Sequence, residues 1–384
     1  MHNKISEFPH LFKIDKSIEK LLKGIELLAY LNPNNVEQEK KKFFQSKFTK
    51  NPQFTYKKLN FNAFKVQKKL FAHKIKLIEN EVVRDFYEEV IYYYSCLVDA
   101  VNDIGTGPKF YYNSLKLFGS PKDKDVDNAK FILHFEDDPI SENSQKKFTS
   151  NDAQKYFEEF SKNYEFKFTI EQSTKIASDA MVRNRSKVLM LKKNSKFSSN
   201  QLKILAHHEI GVHLVTSYNA EAQPLHIFSN GFPRNVETQE GLAVFSEYMS
   251  GALTIKRLKT LAHRVIAVDS LRKGSSFTDT FDLLHYQHRL NKDDAFTVTM
   301  RVHRGGGFTK DYLYLTGLKK IYDYYHSGQD LDILLTGKVN LEHKNAIETL
   351  QKLGLAKKAQ FFNKAYTQNL NENKTLDFIL KSLK

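Results

Sequence analysis

The sequence predicts a mainly helical α+β protein with a small antiparallel sheet packed beside a histidine-bearing helix, and three patterns carry that expectation. Long segments repeat apolar residues at helical spacing. Two short runs alternate apolar and polar residues, as half-buried strands do, and a histidine-rich segment with an apolar face follows the second run directly. In chain order, helical spacing marks 18–30 and 80–101, and the loop at 102–108 is punctuated by Gly105 and Gly107. Ser150 or Asn151 begins a further helix to 164, just after the polar run 141–147. A boundary near 145 would divide a helical region, 1–145, from a motif-bearing region, 146–384, unless the two form one integrated domain. The alternating runs are 166–170 and 187–192, with a connection between them that contains 177–185. After Val236 helices dominate, at 237–253, 255–272, 277–290, 294–301 and 311–326, with shorter ones to the end.

Composition narrows the function classes. The 384 residues include thirty Phe and nineteen Tyr, and 41% are apolar, which is ample for a core. No apolar run is long enough for a membrane span, and 1–23 has no apolar stretch of the kind a secretory signal needs, so a cytoplasmic protein is expected. The single cysteine, Cys96, excludes an internal disulfide and any cysteine-based metal cluster; its apolar neighbours suggest a buried small side chain. The formal charge of +15 is nearly all lysine spread along the chain, a pattern that reads as compositional and argues against a specific nucleic-acid partner. Arginine is distributed differently: nine of ten lie between Arg183 and Arg304. Where lysine is the default cation, arginine marks places that need a planar, always-charged fork, some of them ion pairs and one a candidate to grip a substrate carboxylate or carbonyl.

The same stretch holds His207-His208-Glu209-Ile210-Gly211-Val212-His213. Imidazole nitrogen is a preferred zinc ligand, and a carboxylate beside the metal can accept the proton of a bound water as it attacks a carbonyl. On a regular α-helix, residues five apart are rotated by about 140° and point away from one another. A single-turn π-bulge restores a shared face, and Gly211 lowers its local cost. Ser198, Ser199 or Asn200 can cap this helix, whose apolar face comprises Leu202, Leu205, Ile210 and Leu214. The alternative is a pair of ordinary helix-surface or core histidines in a chain with fourteen of them. A catalytic zinc needs a third protein ligand, and Glu240, in Glu237-Thr238-Gln239-Glu240-Gly241-Leu242-Ala243 at the start of the next strong helix, is the candidate. Glu247 lies seven residues further on the same face, where it could orient a ligand. Against this, Glu237 and Glu240 are also what a helix dipole favours in a first turn.

HEIGVH followed by QEGLA resembles the QEGLA-motif (domain-of-unknown-function) family, whose animal relatives are the microtubule-associated tyrosine carboxypeptidases that remove the C-terminal tyrosine of α-tubulin. The likeness runs from about Val101 to Gly317 and takes in the glycine-bearing loop before Ser114 and the RGGGFTKD stretch at 304–311. It implies one Zn2+ held by His208, His213 and Glu240, with Glu209 as general base, agreeing with the roles read from the residues. The implied fold is a zincin-like metallopeptidase domain at 146–384, and the implied partner is a peptide or protein C-terminus.

In RGGGFTKD, three glycines form a tight backbone and Thr309 can cap the helix starting near Asp311. Arg304, with Lys310 or Arg301, could hold a terminal carboxylate or polarise a tetrahedral intermediate; Tyr314 or His303 could donate to the oxyanion. Equally, the stretch could be a turn with Arg304 in an ion pair. The expected function is a zinc carboxypeptidase. A zinc endopeptidase or amidase, or a non-enzymatic basic regulator, are the alternatives.

Overall fold

Local capping and apolar spacing place most helices where the sequence expects them. In the computed structural model, which describes residues 2–138, 145–174, 176 and 178–384, the longest helix is Glu81–Asn102, with the Asn80 side chain accepting from Val83 N at its start. It buries Val83, Phe86, Tyr87, Val90, Tyr94, Val98 and Val101, an apolar stripe at helical spacing. Thr149 and Asp152 form a reciprocal capping box ahead of the helix Ser150–Ser161. The expected helix over 18–30 is instead two, Pro9–Leu22 and Leu27–Leu31, because Gly24 turns the chain at φ +83°. Residues 141–144 and Ala177, named above, lie outside the described residues.

The sheet corrects the sequence expectation. Five strands form, β1 (Phe148–Thr149), β2 (Thr169–Ser173), β3 (Ala180–Arg183), β4 (Val188–Lys192) and β5 (Lys196–Phe197). β1 pairs antiparallel with β5, and the larger sheet has the order β2-β4-β3. β4 falls within the expected run 187–192, whereas the first strand is displaced from the expected 166–170 to 169–173; β2 and β4 run parallel and β3 pairs antiparallel with β4, so the sheet is mixed and not antiparallel. The physical reason lies in the connection: it folds into a strand of its own, takes the antiparallel place beside β4 and leaves β2 the other edge. β4 is central, and Val188, Leu189, Met190 and Leu191 are all buried, as expected of a strand covered on both faces.

Two glycine contacts position the site. Helices Asn235–Met249 and Leu313–His326 cross with Gly241 against Gly317, so closely that a Cβ on Gly241 would overlap the Gly317 carbonyl. The glycine of the EGLA segment is therefore a packing requirement of the helix that carries Glu240. The second contact joins the two glycine-bearing loops. Gly105 N donates to Gly305 O at 2.7 Å, Gly306 adopts φ +112°, and a Cβ there would lie 2.6 Å from Gly107 Cα. One apolar cluster extends from Phe8 to Leu383. Among the described residues no helix is long and apolar enough to cross a membrane.

Candidate metal centre

The histidine helix begins with Ser198, whose side chain accepts from Gln201 N, and runs as an α-helix over Ser199–Leu205. It then widens into a π-helix over Ala206–Leu214, nine residues in place of the single bulged turn the spacing requires. Several groups sustain this uncommon geometry. A Cβ at residue 211 would lie 2.6 Å from the Asn363 amide nitrogen, so only glycine admits Asn363, which donates to His207 O at 3.4 Å. Thr216 Oγ1 donates to Val212 O at 2.8 Å, while His213 O accepts from Ser217 Oγ at 2.6 Å and Lys338 Nζ at 3.0 Å. The widened turn sets the His208 and His213 rings side by side, with centroids 5.0 Å apart.

Glu240 completes the cluster from the neighbouring helix. Its Oε2 lies 3.6 Å from His208 Nε2 and 3.8 Å from His213 Nε2, and one ligand atom from each of the three residues lies within 4.8 Å of the others. Oε1 accepts from Lys310 Nζ at 2.7 Å, whereas Oε2 is buried with no hydrogen-bond partner. An unpartnered buried carboxylate oxygen costs free energy unless something arrives to satisfy it, and two imidazole nitrogens across a cation-sized gap show what fits there. The donor set suits zinc.

Glu247 lies beneath His208. Fully buried, it meets His208 Nδ1 at 2.8 Å and is gripped by Arg257 through Nε and Nη2, both at 3.1 Å. Burial would raise its pKa, but Arg257 and His208 outweigh that and hold it down to about 2. For His208, burial would lower the value; Glu240, Glu247 and Glu209 reverse it and, in the absence of a cation, lift it to about 10. His213, with less compensation for its burial, is lowered. Glu240 is held well below the carboxylate range, because Lys310 and the two imidazoles overcome desolvation. Glu209, also buried, accepts at Oε2 from Val182 N of β3 at 3.1 Å, which ties the expected base to the sheet edge.

Other expected residues divide. Lys310 reaches Glu240, and Tyr314 Oη accepts from Lys310 Nζ at 3.2 Å. Arg301 is closed on Asp311, including Nη2 to Oδ1 at 2.9 Å. Arg304 is only 4% exposed: Nη1 donates to Asn32 Oδ1 at 2.7 Å, Nε is buried without a hydrogen-bond partner, and the guanidinium lies over the Phe308 ring at 5.0 Å. Asn32 of the N-terminal segment thus takes one arm of the fork that the sequence reading offered to a substrate carboxylate, and burial closes the rest off from solvent. His303 Nε2 meets Thr280 Oγ1 at 2.8 Å, and Thr309 is tied to Ser114 instead of capping a helix. Sequence reasoning missed Arg257 and Arg264 as individuals. Their signal was present: two arginines seven apart on one helix, Ile255–Arg272, within the arginine-rich stretch.

Two histidines and a glutamate converging on one point, with a second carboxylate alongside, define a candidate divalent-metal centre of the type hydrolases use. The chain belongs to the microtubule-associated tyrosine carboxypeptidase family, which it matches over residues 41–384, further in both directions than the motifs suggest. It is 44% identical over 52 residues to microtubule-associated tyrosine carboxypeptidase 1 of Mus musculus; that match covers 13% of this chain and 11% of the mouse protein.

Proposed function

We propose that this protein is a zinc-dependent carboxypeptidase that releases the C-terminal residue of a peptide or protein. The observation that carries this reading is the convergence of His208, His213 and Glu240 with Glu240 Oε2 left unpartnered. The family supports the peptidase class, and the mouse relative's name makes C-terminal tyrosine the first substrate to try. Zinc, when bound, would lower the pKa of a coordinated water to around 7 and polarise the scissile carbonyl.

The chain's own residues account for the rest. Glu209, fixed through Oε2 by the Val182 amide, receives the proton of the attacking water and delivers it to the departing amine as the C–N bond breaks. Glu247 accepts from His208 Nδ1, which fixes the tautomer with its Nε2 lone pair towards Glu240. Tyr314 Oη already accepts from Lys310, so its own proton is free to donate to oxygen developing charge on the carbonyl. Replacing Glu209 by Gln is expected to leave one zinc per chain by elemental analysis and to reduce turnover of a tyrosine-terminated peptide by about 10²–10⁴-fold. A Glu209→Gln chain with full turnover, or a purified parent with less than half an equivalent of metal, would refute the reading.

A further inference from the structure

Five cationic side chains gather around Tyr314 and Glu240, and four have a partner. Arg257 holds Glu247, Arg301 holds Asp311, Lys310 holds Glu240, and Arg304 holds Asn32 beneath the N-terminal segment. Arg264 is left over. Its guanidinium makes no hydrogen bond and no ion pair among the described residues; Nε is buried without a partner, and its contact is with the face of Tyr314, at 4.8 Å from the ring centroid. Burial, together with repulsion from Arg301 and Arg257, pushes it down to about 10 despite Asp311 nearby. A planar five-donor cation in such surroundings is unstable relative to one facing a carboxylate. Unlike Arg304, Arg264 is only half-buried, so an incoming anion can reach it.

We propose that Arg264 is the receptor for the terminal carboxylate of the substrate, with Tyr314 setting its distance from the His208, His213 and Glu240 cluster. Lys310 Nζ lies 4.9 Å from the same ring centroid and 2.7 Å from Glu240 Oε1, so the arginine fork and the group that neutralises the third ligand border one aromatic ring. A terminal carboxylate lies one residue beyond the scissile carbonyl, about 3.3–3.8 Å further along the chain. A charge-assisted N–H···O contact adds about 2.8 Å. A terminal carboxylate would supply the counter-ion that the unpaired guanidinium lacks. The assignment rests on the carboxypeptidase reading and makes a free C-terminus a requirement of the site, which an endopeptidase would not share.

The test is direct binding to the zinc-loaded full chain carrying Glu209→Gln, by calorimetry, with an acidic hexapeptide ending in tyrosine as free acid and as amide. The free acid should bind about tenfold to a hundredfold more tightly than the amide, the range expected for hydrogen bonds to a charged group. Adding Arg264→Gln should abolish that ratio by weakening the free acid alone. Arg264→Lys should restore part of it, since charge is kept while the fork is lost. Zinc content and melting temperature of both variants establish that they are folded. An unchanged ratio in Arg264→Gln, or no preference for the free acid in the parent, would overturn the assignment. A preference that depends on Arg264, found together with a zinc-loaded chain that keeps Glu209 and still cleaves neither peptide, would leave the receptor standing and remove the peptidase reading instead.

Discussion

Replacing Glu247 by Gln separates the two things this carboxylate does. In the parent it accepts from His208 Nδ1 at 2.8 Å and neutralises Arg257 through two contacts of 3.1 Å, with no exposure to solvent. An amide has one acceptor oxygen for both partners and no charge. Arg257 then becomes a buried cation without a counter-ion, and breaking such a pair costs about 3–5 kcal/mol. Separately, His208 loses the acceptor that fixes its tautomer and ring orientation, a change that weakens metal affinity by about 10–100-fold. Zinc competition against a chromogenic chelator reads the second effect and urea denaturation reads the first. Adding Arg257→Met should recover much of the stability, because the unpaired charge is gone, while zinc affinity stays low. Zinc affinity unchanged in Glu247→Gln, or fully recovered in the double variant, would show that the carboxylate serves Arg257 alone and that its contact with His208 is incidental.

Two further outcomes follow from the buried pairs and helix contacts. Burial would raise Asp311, but Arg301, Arg264 and Arg304 hold it far below its usual range, so its contribution to stability is present above the unfolded carboxylate pKa of about 4 and fades as pH falls towards the folded value. Asp311→Asn should therefore cost about 3–5 kcal/mol near neutrality. The gap from the parent should narrow below about pH 4, where the parent's unfolded chain takes up the proton; denaturant titrations at several pH values measure this, and a constant gap would exclude the ion pair as its cause. Gly241→Ala drives a Cβ into the Gly317 backbone, which no side-chain rotation relieves, so a loss of at least about 1–3 kcal/mol is expected together with lower zinc stoichiometry as Glu240 shifts. A folded Gly241→Ala protein with full zinc content would show that the helix crossing does not position that ligand.

What was legible in the sequence was local. The interval between His208 and His213 demands a widened turn before they can face one point, and Gly211 permits it, so the π-helix was implicit in seven residues. The cap at Ser198 was legible because a side chain satisfies backbone amides only two or three positions away, and the helix expected to begin at Ser150 or Asn151 begins at Ser150 with Thr149 as its cap. Glu240 was legible through its motif. The extent of the π-helix was not, since Asn363 and Lys338, which help sustain it, arrive from far along the chain. Nor was the parallel pairing of β2 with β4, which followed from a four-residue strand too short to show alternation.

Charge pairing was the least legible property. Periodicity encodes which face of an element is buried, but it says nothing about which buried cation meets which carboxylate. Arg304, beside the glycines, could be read as a substrate clamp or as an ion pair and is held by Asn32; Arg264, in the middle of an ordinary helix, drew no reading of its own and has no hydrogen-bonding partner among the described residues. Only packing brings positions 32 and 304 together and leaves 264 facing an aromatic ring, because Coulomb and hydrogen-bond energies depend on distances of a few ångströms that no interval along the chain specifies.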